Sequence, residues 1–194
     1  MTEPSKLDKE LLRAAYCGEI KQCSILIATG ADLDARYNYG ETALILAAGR
    51  GDVEVVKVLI AAGAAVESRD KHGLNALMMA AGGEHRDYPE TVKVLIAAGA
   101  DLGSGSGDVG TPLHCAALNG RVEICQILIK AGADLGALDA KGRTPVEVAT
   151  DGTVIDVIRA AISKVELKAL EKSTGEIVKR KRIKKPAPVQ STGI

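Results

Sequence analysis

Aromatic residues are nearly absent: the chain has four Tyr, no Phe and no Trp among 194 residues. Its core must therefore be aliphatic, built from Ala, Leu, Ile and Val, a composition suited to closely packed helices with small residues at their contacts. Long apolar runs are missing too. No uncharged stretch approaches the roughly 18–20 residues that cross a bilayer, so no membrane span is expected. The opening MTEPSKLDKELL lacks an apolar h-region, so no secretory leader is expected. Cys17, Cys23, Cys115 and Cys125 form no CxxC pair and have no zinc-ligand spacing. Such thiols point to a reducing compartment, cytoplasmic or nuclear. Net charge is absent as well, but the balance of 25 basic and 25 acidic groups hides an asymmetry. Residues 163–194 carry nine Lys/Arg and three Asp/Glu, so a body of net −6 is joined to a tail of net +6.

What is present is a repeat. The phrase LIAAGA occurs at Leu59–Ala64 and again at Leu95–Ala100, with LIATGAD at Leu26–Asp32 and LIKAGAD at Leu128–Asp134 as variants. Their first leucines, Leu26, Leu59, Leu95 and Leu128, are spaced 33, 36 and 33. A second series, Leu11, Leu44, Leu77, Leu113 and Val146, is spaced 33, 33, 36 and 33. Two independent series share one three-residue insertion, so the period is a property of the architecture.

Each unit follows one plan. Thr42, Asn75, Thr111 and Thr144 stand where an N-cap belongs, with side-chain oxygens for the first unpaired amides. Pro112 and Pro145 fall at N1, where a missing N–H costs nothing. A short helix follows, marked by the pairs Ala14-Ala15, Ala47-Ala48, Ala80-Ala81 and Ala116-Ala117, which let a second helix approach. Gly18, Gly51 and Gly120 end it. The second helix places apolar residues at i, i+3 and i+4, as at Val55, Val58 and Leu59, and ends at Gly30, Gly63, Gly99 or Gly132.

GETALILAA at Gly40–Ala48, TPLHCAA at Thr111–Ala117 and DAKGRTP at Asp139–Pro145 resemble the ankyrin repeat. The resemblance covers about residues 8–162 as some five units: 8–36, 37–69, 70–105, 106–138 and 139–162. It implies an all-α ankyrin-repeat solenoid of helix-turn-helix pairs, with β-hairpin loops projecting at right angles and a concave face. Residues 163–172 are expected to extend the last helix, and 173–194 to form a disordered basic tail.

Departures from the pattern carry information. Only His114 keeps the family histidine, whose role is hydrogen bonding between neighbouring loops; Ile45 and Met78 replace it in the second and third units. Gly103–Gly110, GSGSGDVG, stands in place of an ordered D-x-x-G hairpin and is expected to be floppy. The insertion lies within Gly82–Glu90. The first unit lacks its hairpin and is polar outside, as an end cap requires. The fifth is one residue short around Thr150–Thr153.

Catalytic and metal readings find little support. The carboxylate pairs Asp32/Asp34 and Asp101/Asp134 recur at repeat positions, so their spacing follows from the fold. His72, His85 and His114 show no arrangement with a nucleophile. GSGSG lacks the Lys-Ser/Thr of a phosphate loop. Cys23, Cys115 and Cys125 align with apolar helix positions and are expected to be inert core thiols, whereas Cys17 aligns with an exposed helix end. No cofactor, metal or catalytic residue is assigned.

The surface remains. By the resemblance, hairpin tips and the exposed side of the first helices form the ligand face. Position by position this gives Arg36, Tyr37, Asn38, Tyr39 and Glu41, then Arg69, Lys71, His72 and Leu74, then Lys141 and Arg143. The helices add Tyr16, Gly49, Arg50, Leu118 and Asn119. Three of the four tyrosines fall in this set, and Tyr and Arg are enriched in binding hot spots. The tail adds Lys179, Arg180, Lys181, Arg182, Lys184 and Lys185. This run resembles a nuclear-import signal, and it also suits nucleic acid or an anionic membrane. The sequence thus indicates a non-enzymatic protein-binding module, regulatory or scaffolding, monomeric alone and cytoplasmic or nuclear. A nucleus-directed or nucleic-acid-associated regulator, reaching an import receptor or nucleic acid through the tail, is the alternative.

Overall fold

A computed structural model describes residues 4–83 and 87–183. Ten α-helices follow one another among these residues. They are α1 (Lys6–Cys17), α2 (Ile20–Ala28), α3 (Ala43–Arg50), α4 (Val53–Ala61) and α5 (Ala76–Gly82). Then come α6 (Pro89–Ala97), α7 (Pro112–Leu118), α8 (Val122–Ala131), α9 (Pro145–Val148) and α10 (Gly152–Ile183). Odd-numbered helices are the first of each pair and stack in one row, α1 on α3, α3 on α5, α5 on α7 and α7 on α9. The second helices α2, α4, α6 and α8 form a parallel row behind them. Through Ile158 the helix pairs thus stack as an all-α solenoid, as the repeat predicts.

The caps are those the repeat predicts. Thr42 accepts the Ile45 N–H at 3.4 Å, and Asn75 accepts the Met78 N–H at 2.9 Å. At Thr144 a reciprocal box forms, in which Glu147 Oε2 accepts the Thr144 N–H at 2.7 Å. The paired alanines are fully buried between rows, alongside Leu11, Leu44, Leu77 and Leu113. Each such leucine gains about 1.5–3 kcal/mol from leaving water. The small alanines let the rows approach closely.

A finger projects between successive pairs. In each, at least two backbone hydrogen bonds close a tight turn, as where the Asp70 N–H reaches Leu74 O at 2.9 Å and the Gly73 N–H reaches Asp70 O at 3.0 Å. Gly73 turns it at φ +77, a conformation that side chains other than glycine rarely adopt. These ladders are too short to count as strands.

Two expectations require correction. The GSGSGDVG finger is ordered: Ser104 and Ser106 are buried, and the Ser106 N–H pairs with Gly110 O at 3.0 Å. Its partners lie in the preceding finger and are described below. The second concerns Ser173–Ile183, read as irregular, which continue α10. No proline interrupts the stretch before Pro186, and its Glu, Lys and Arg residues are good helix formers. Lys184 and Lys185 lie outside the described residues, as does His85.

The last pair differs for a visible reason. α9 is cut short at Val148, Ala149 turns extended, and Asp151 Oδ1 accepts the N–H groups of Thr153 and Val154 at 2.8 and 3.2 Å to start α10. The chain divides into a repeat body through Ile158 and a second unit from Arg159. Val154 and Ile158 are buried in the body. In the second unit Val165 and Leu167 are exposed on α10.

Candidate recognition face

The fingers are tied to one another, and the ties decide which side chains remain available. With the fingers numbered by unit, so that the turns at residues 37–41, 70–74, 106–110 and 139–143 are the second to the fifth, the fourth and fifth join through His114. The Thr111 N–H donates to its Nδ1 at 3.1 Å, which leaves the ring proton on Nε2, and Nε2 donates to Arg143 O at 2.9 Å. The expected loop-bridging role is therefore met. Ile45 and Met78 cannot do this, and arginine replaces them. Arg36 Nη1 donates to Gly40 O at 2.9 Å in its own finger and to Arg69 O in the next. Arg69 repeats the pattern, with Nη1 on Gly73 O at 2.7 Å and Gly105 O at 2.9 Å, and Nη2 on Ser104 Oγ. Ser106 Oγ then donates to His72 O. Arg36 and Arg69 are thus spent on the scaffold.

Cross-links of the same kind fuse the second and third fingers. The Lys71 N–H donates to Tyr39 O at 2.8 Å, and Lys71 Nζ donates to Asn38 O at 2.8 Å. The Tyr39 and His72 rings lie 6.1 Å apart, tilted by 33°. Asn38, Tyr39, Lys71 and His72 therefore form one exposed plate. Tyr37 stands beside it at the position that Asp70 and Asp139 occupy in their fingers. A tyrosine cannot cap the turn there, and Glu41 substitutes, its Oε2 accepting the Tyr39 N–H at 2.9 Å. In the third finger Asp70 Oδ1 takes the N–H groups of His72 and Leu74 at 2.8 Å each, which fixes the half-buried Leu74.

A second cluster forms on the helices. Tyr16, at the end of α1, is 53% exposed, and the Arg50 guanidinium of α3 lies over its ring at 5.0 Å from the centroid. Arg50 Nε is also 3.6 Å from an Asp52 carboxylate oxygen. Tyr37 and Tyr39 are 50% and 61% exposed. A buried tyrosine would be expected to lose that area to a neighbour; these three do not.

Leu118 ends α7 and Asn119 caps it, and neither makes a hydrogen bond or ring contact with either cluster among the described residues. Leu118 is exposed, its carbonyl accepting from Thr150, and the Asn119 amide turns back to Cys115 O at 2.9 Å. Lys141 is exposed, whereas the Arg143 guanidinium grips Asp139 at 2.7 and 2.9 Å. Gly49 lies against Met79, whose Cε would be 3.1 Å from an added Cβ.

Tyr88 differs from the other three. Its ring lies directly over Gly51, where an added Cβ would fall 2.0 Å from a ring carbon, so it covers the turn between α3 and α4. The far side of the insertion is held by Arg121, which reaches Gly83 O and pairs with Asp87 at 3.1 Å. Sequence reasoning did not single out Leu138, 63% exposed at the position of Arg36 and Arg69, or Ile20 and Ile25 on α2. Unit-by-unit alignment carries the signal for Leu138; for the two isoleucines it is their place in an end unit.

No group of three or more His, Cys, Asp or Glu side chains among the described residues could hold a metal ion. Burial pushes the Cys23 thiol up to about 11 and those of Cys115 and Cys125 to about 12. All three are buried, so none is an available thiolate; Cys17 is exposed. No described helix is long and apolar enough to cross a membrane. Of the tail candidates, Lys179, Arg180, Lys181 and Arg182 belong to α10.

A family model described as Ankyrin repeats (3 copies) matches residues 11–106 and 84–169. A search of curated proteins returns no match.

Proposed function

Because the chain belongs to the ankyrin-repeat family, whose repeats generally serve as protein–protein interaction modules, we propose that it holds a protein partner on the face made by its fingers and first helices, with the first three units at the centre. The observation that carries this reading is the placement of the tyrosines. In a chain with no Phe or Trp, Tyr16, Tyr37 and Tyr39 stand half or more exposed, two of them beside a cation or an imidazole. Large, stiff aromatic surface of this kind gives contact area at low entropic cost. The arginine and histidine ties hold the fingers in place beforehand, so little ordering opposes association. The module acts by rigid complementarity, as a regulator or scaffold, and performs no chemistry on what it binds.

The test is an affinity capture by the full-length chain and by a Tyr16→Ala/Tyr37→Ala/Tyr39→Ala variant, read by mass spectrometry. The variant should lose the captured protein while its melting curve stays nearly unchanged. Equal capture by both would sink the proposal. A second reading has one observation in its favour, six basic groups within residues 179–185. In it the tail contacts an import receptor or nucleic acid, and capture would vanish with the tail and wash off in salt.

A further inference from the structure

We infer that the partner segment is acidic and carries an aromatic or aliphatic side chain. This rests on the recognition face proposed above and adds the chemistry of what it takes.

The argument is the way charge is sorted. On the fingers, each described carboxylate is turned to the backbone. Glu41 takes the Tyr39 amide, Asp70 takes two amides of its own turn, and the buried Asp139 takes the amides of Lys141 and Arg143 as well as the Arg143 guanidinium. Arg36, Arg69 and Arg143 are likewise turned inward, but Lys71 and Lys141 are exposed at the tips, and Arg50 is exposed on the first-helix row. Lys71 spends one of three donors on Asn38 O. The exposed carboxylates Asp32, Asp34, Glu67, Asp101 and Asp134 lie instead in the loops that leave the second helices. On the first-helix row Lys6, Lys9, Arg13 and Arg50 are exposed against Glu10 and Glu147, the latter turned to the Thr144 amide. A body of net −6 thus shows more exposed cations than exposed carboxylates among the described side chains of its fingers and first helices, with the tyrosines beside them. Complementary charge steers encounter and selects against wrong partners.

A nucleic acid fits the same face less well. Its charges are dense, about one per 1.7 Å of duplex axis, whereas the cations here are few and the body that carries them is acidic. A short peptide with a few carboxylates matches that number, and its apolar side chain covers Tyr16 or Tyr39.

The experiment is selection of a random-peptide library displayed on phage against the full chain. The enriched sequence is then synthesised with a fluorescent label and titrated by anisotropy. We expect peptides bearing Asp or Glu together with an aromatic or aliphatic residue. Binding should weaken at least about tenfold in Arg50→Glu/Lys71→Glu. It should weaken less in Arg50→Gln/Lys71→Gln, and persist when Lys179, Arg180, Lys181 and Arg182 are changed to Ser. Melting curves establish that the variants fold. Neutral or basic peptides, no enrichment, indifference to charge reversal, or loss with the tail substitutions would each overturn the inference. So would displacement by oligothymidylate at equal concentration. Should Tyr16→Ala/Tyr37→Ala/Tyr39→Ala abolish peptide binding while charge reversal does not, the face stands and its acidic preference falls. If neither changes binding, both fall.

Discussion

The joints between fingers come in two kinds. Between the fourth and fifth, a buried imidazole on the first helix reaches forward to Arg143 O, with its other nitrogen satisfied by the cap of its own helix. Between the second and third, and again between the third and fourth, an arginine in the finger spans two carbonyls, one in its own turn and one in the next. The histidine is buried at 1% exposure, whereas Arg36 and Arg69 are only half-buried. The imidazole is thus sealed from water, whereas the guanidinium ties are partly open to it. The fold requires that neighbouring fingers be tied, and it does not fix which residue ties them. The arginine joints adjoin Tyr37 and Tyr39, so the recognition surface proposed above is held by polar, partly exposed seams.

The comparison breaks first at His114. Removing the ring by His114→Ala strips the buried Thr111 amide of its acceptor and opens a cavity beside α7. Together these should cost about 3 kcal/mol. Arg69→Ala exposes carbonyls that water can reach, so its cost should be about 1 kcal/mol, and hydrogen exchange should speed up locally over residues 103–110. Urea unfolding of the two variants decides the matter. Equal losses would mean that the joints are energetically alike despite their different burial.

A smaller effect is expected from acid. Asp139 is drawn down from 3.8 to about 2, chiefly by the Arg143 backbone N–H and further by its guanidinium and the Lys141 amide. Its carboxyl binds protons less readily folded than unfolded. The stability it adds is therefore present above about 3.8 and drains away as the pH falls toward 2. Asp139 organises the finger that receives His114, so Asp139→Asn should flatten the acid limb of stability against pH between those values. An unchanged acid limb in that variant would show that the charge on Asp139 contributes nothing there.

Much of this was legible in advance, and what was not shares a cause. Caps, paired alanines and turn glycines are decided within one 33-residue period, so reading the period placed them correctly. The ordering of GSGSGDVG was missed because its partners Arg69 and His72 stand 34 to 36 residues upstream. Its composition alone suggested a flexible link. The arginine ties were missed for the same reason, although a clue was present: Arg36 and Arg69 each stand nine residues before Ile45 and Met78, where histidine is lacking, while Gly105 stands nine residues before His114. That arrangement turned Arg36 from a binding candidate into part of the frame. The place of Tyr88 over Gly51 was not legible either, because it stands in the insertion, where the period gives no aligned position.

The smallest effect sharpens the comparison without disturbing the fold. Cys115 follows His114 on α7, and Cys23 lies far from that joint on α2; both are buried and both thiols are pushed upward, to about 12 and about 11. Each can react with a maleimide only after local opening, whereas exposed Cys17 reacts directly. In the native chain one thiol should label rapidly and the buried three slowly. His114→Ala should accelerate Cys115 and leave Cys23 at its original rate, because stacked repeats couple mainly to their neighbours. Arg69→Ala should leave the Cys115 rate nearly unchanged, since water closes over that seam. If both substitutions release Cys115 alike, the sealed joint is not what keeps α7 in place, and the two kinds of tie are interchangeable.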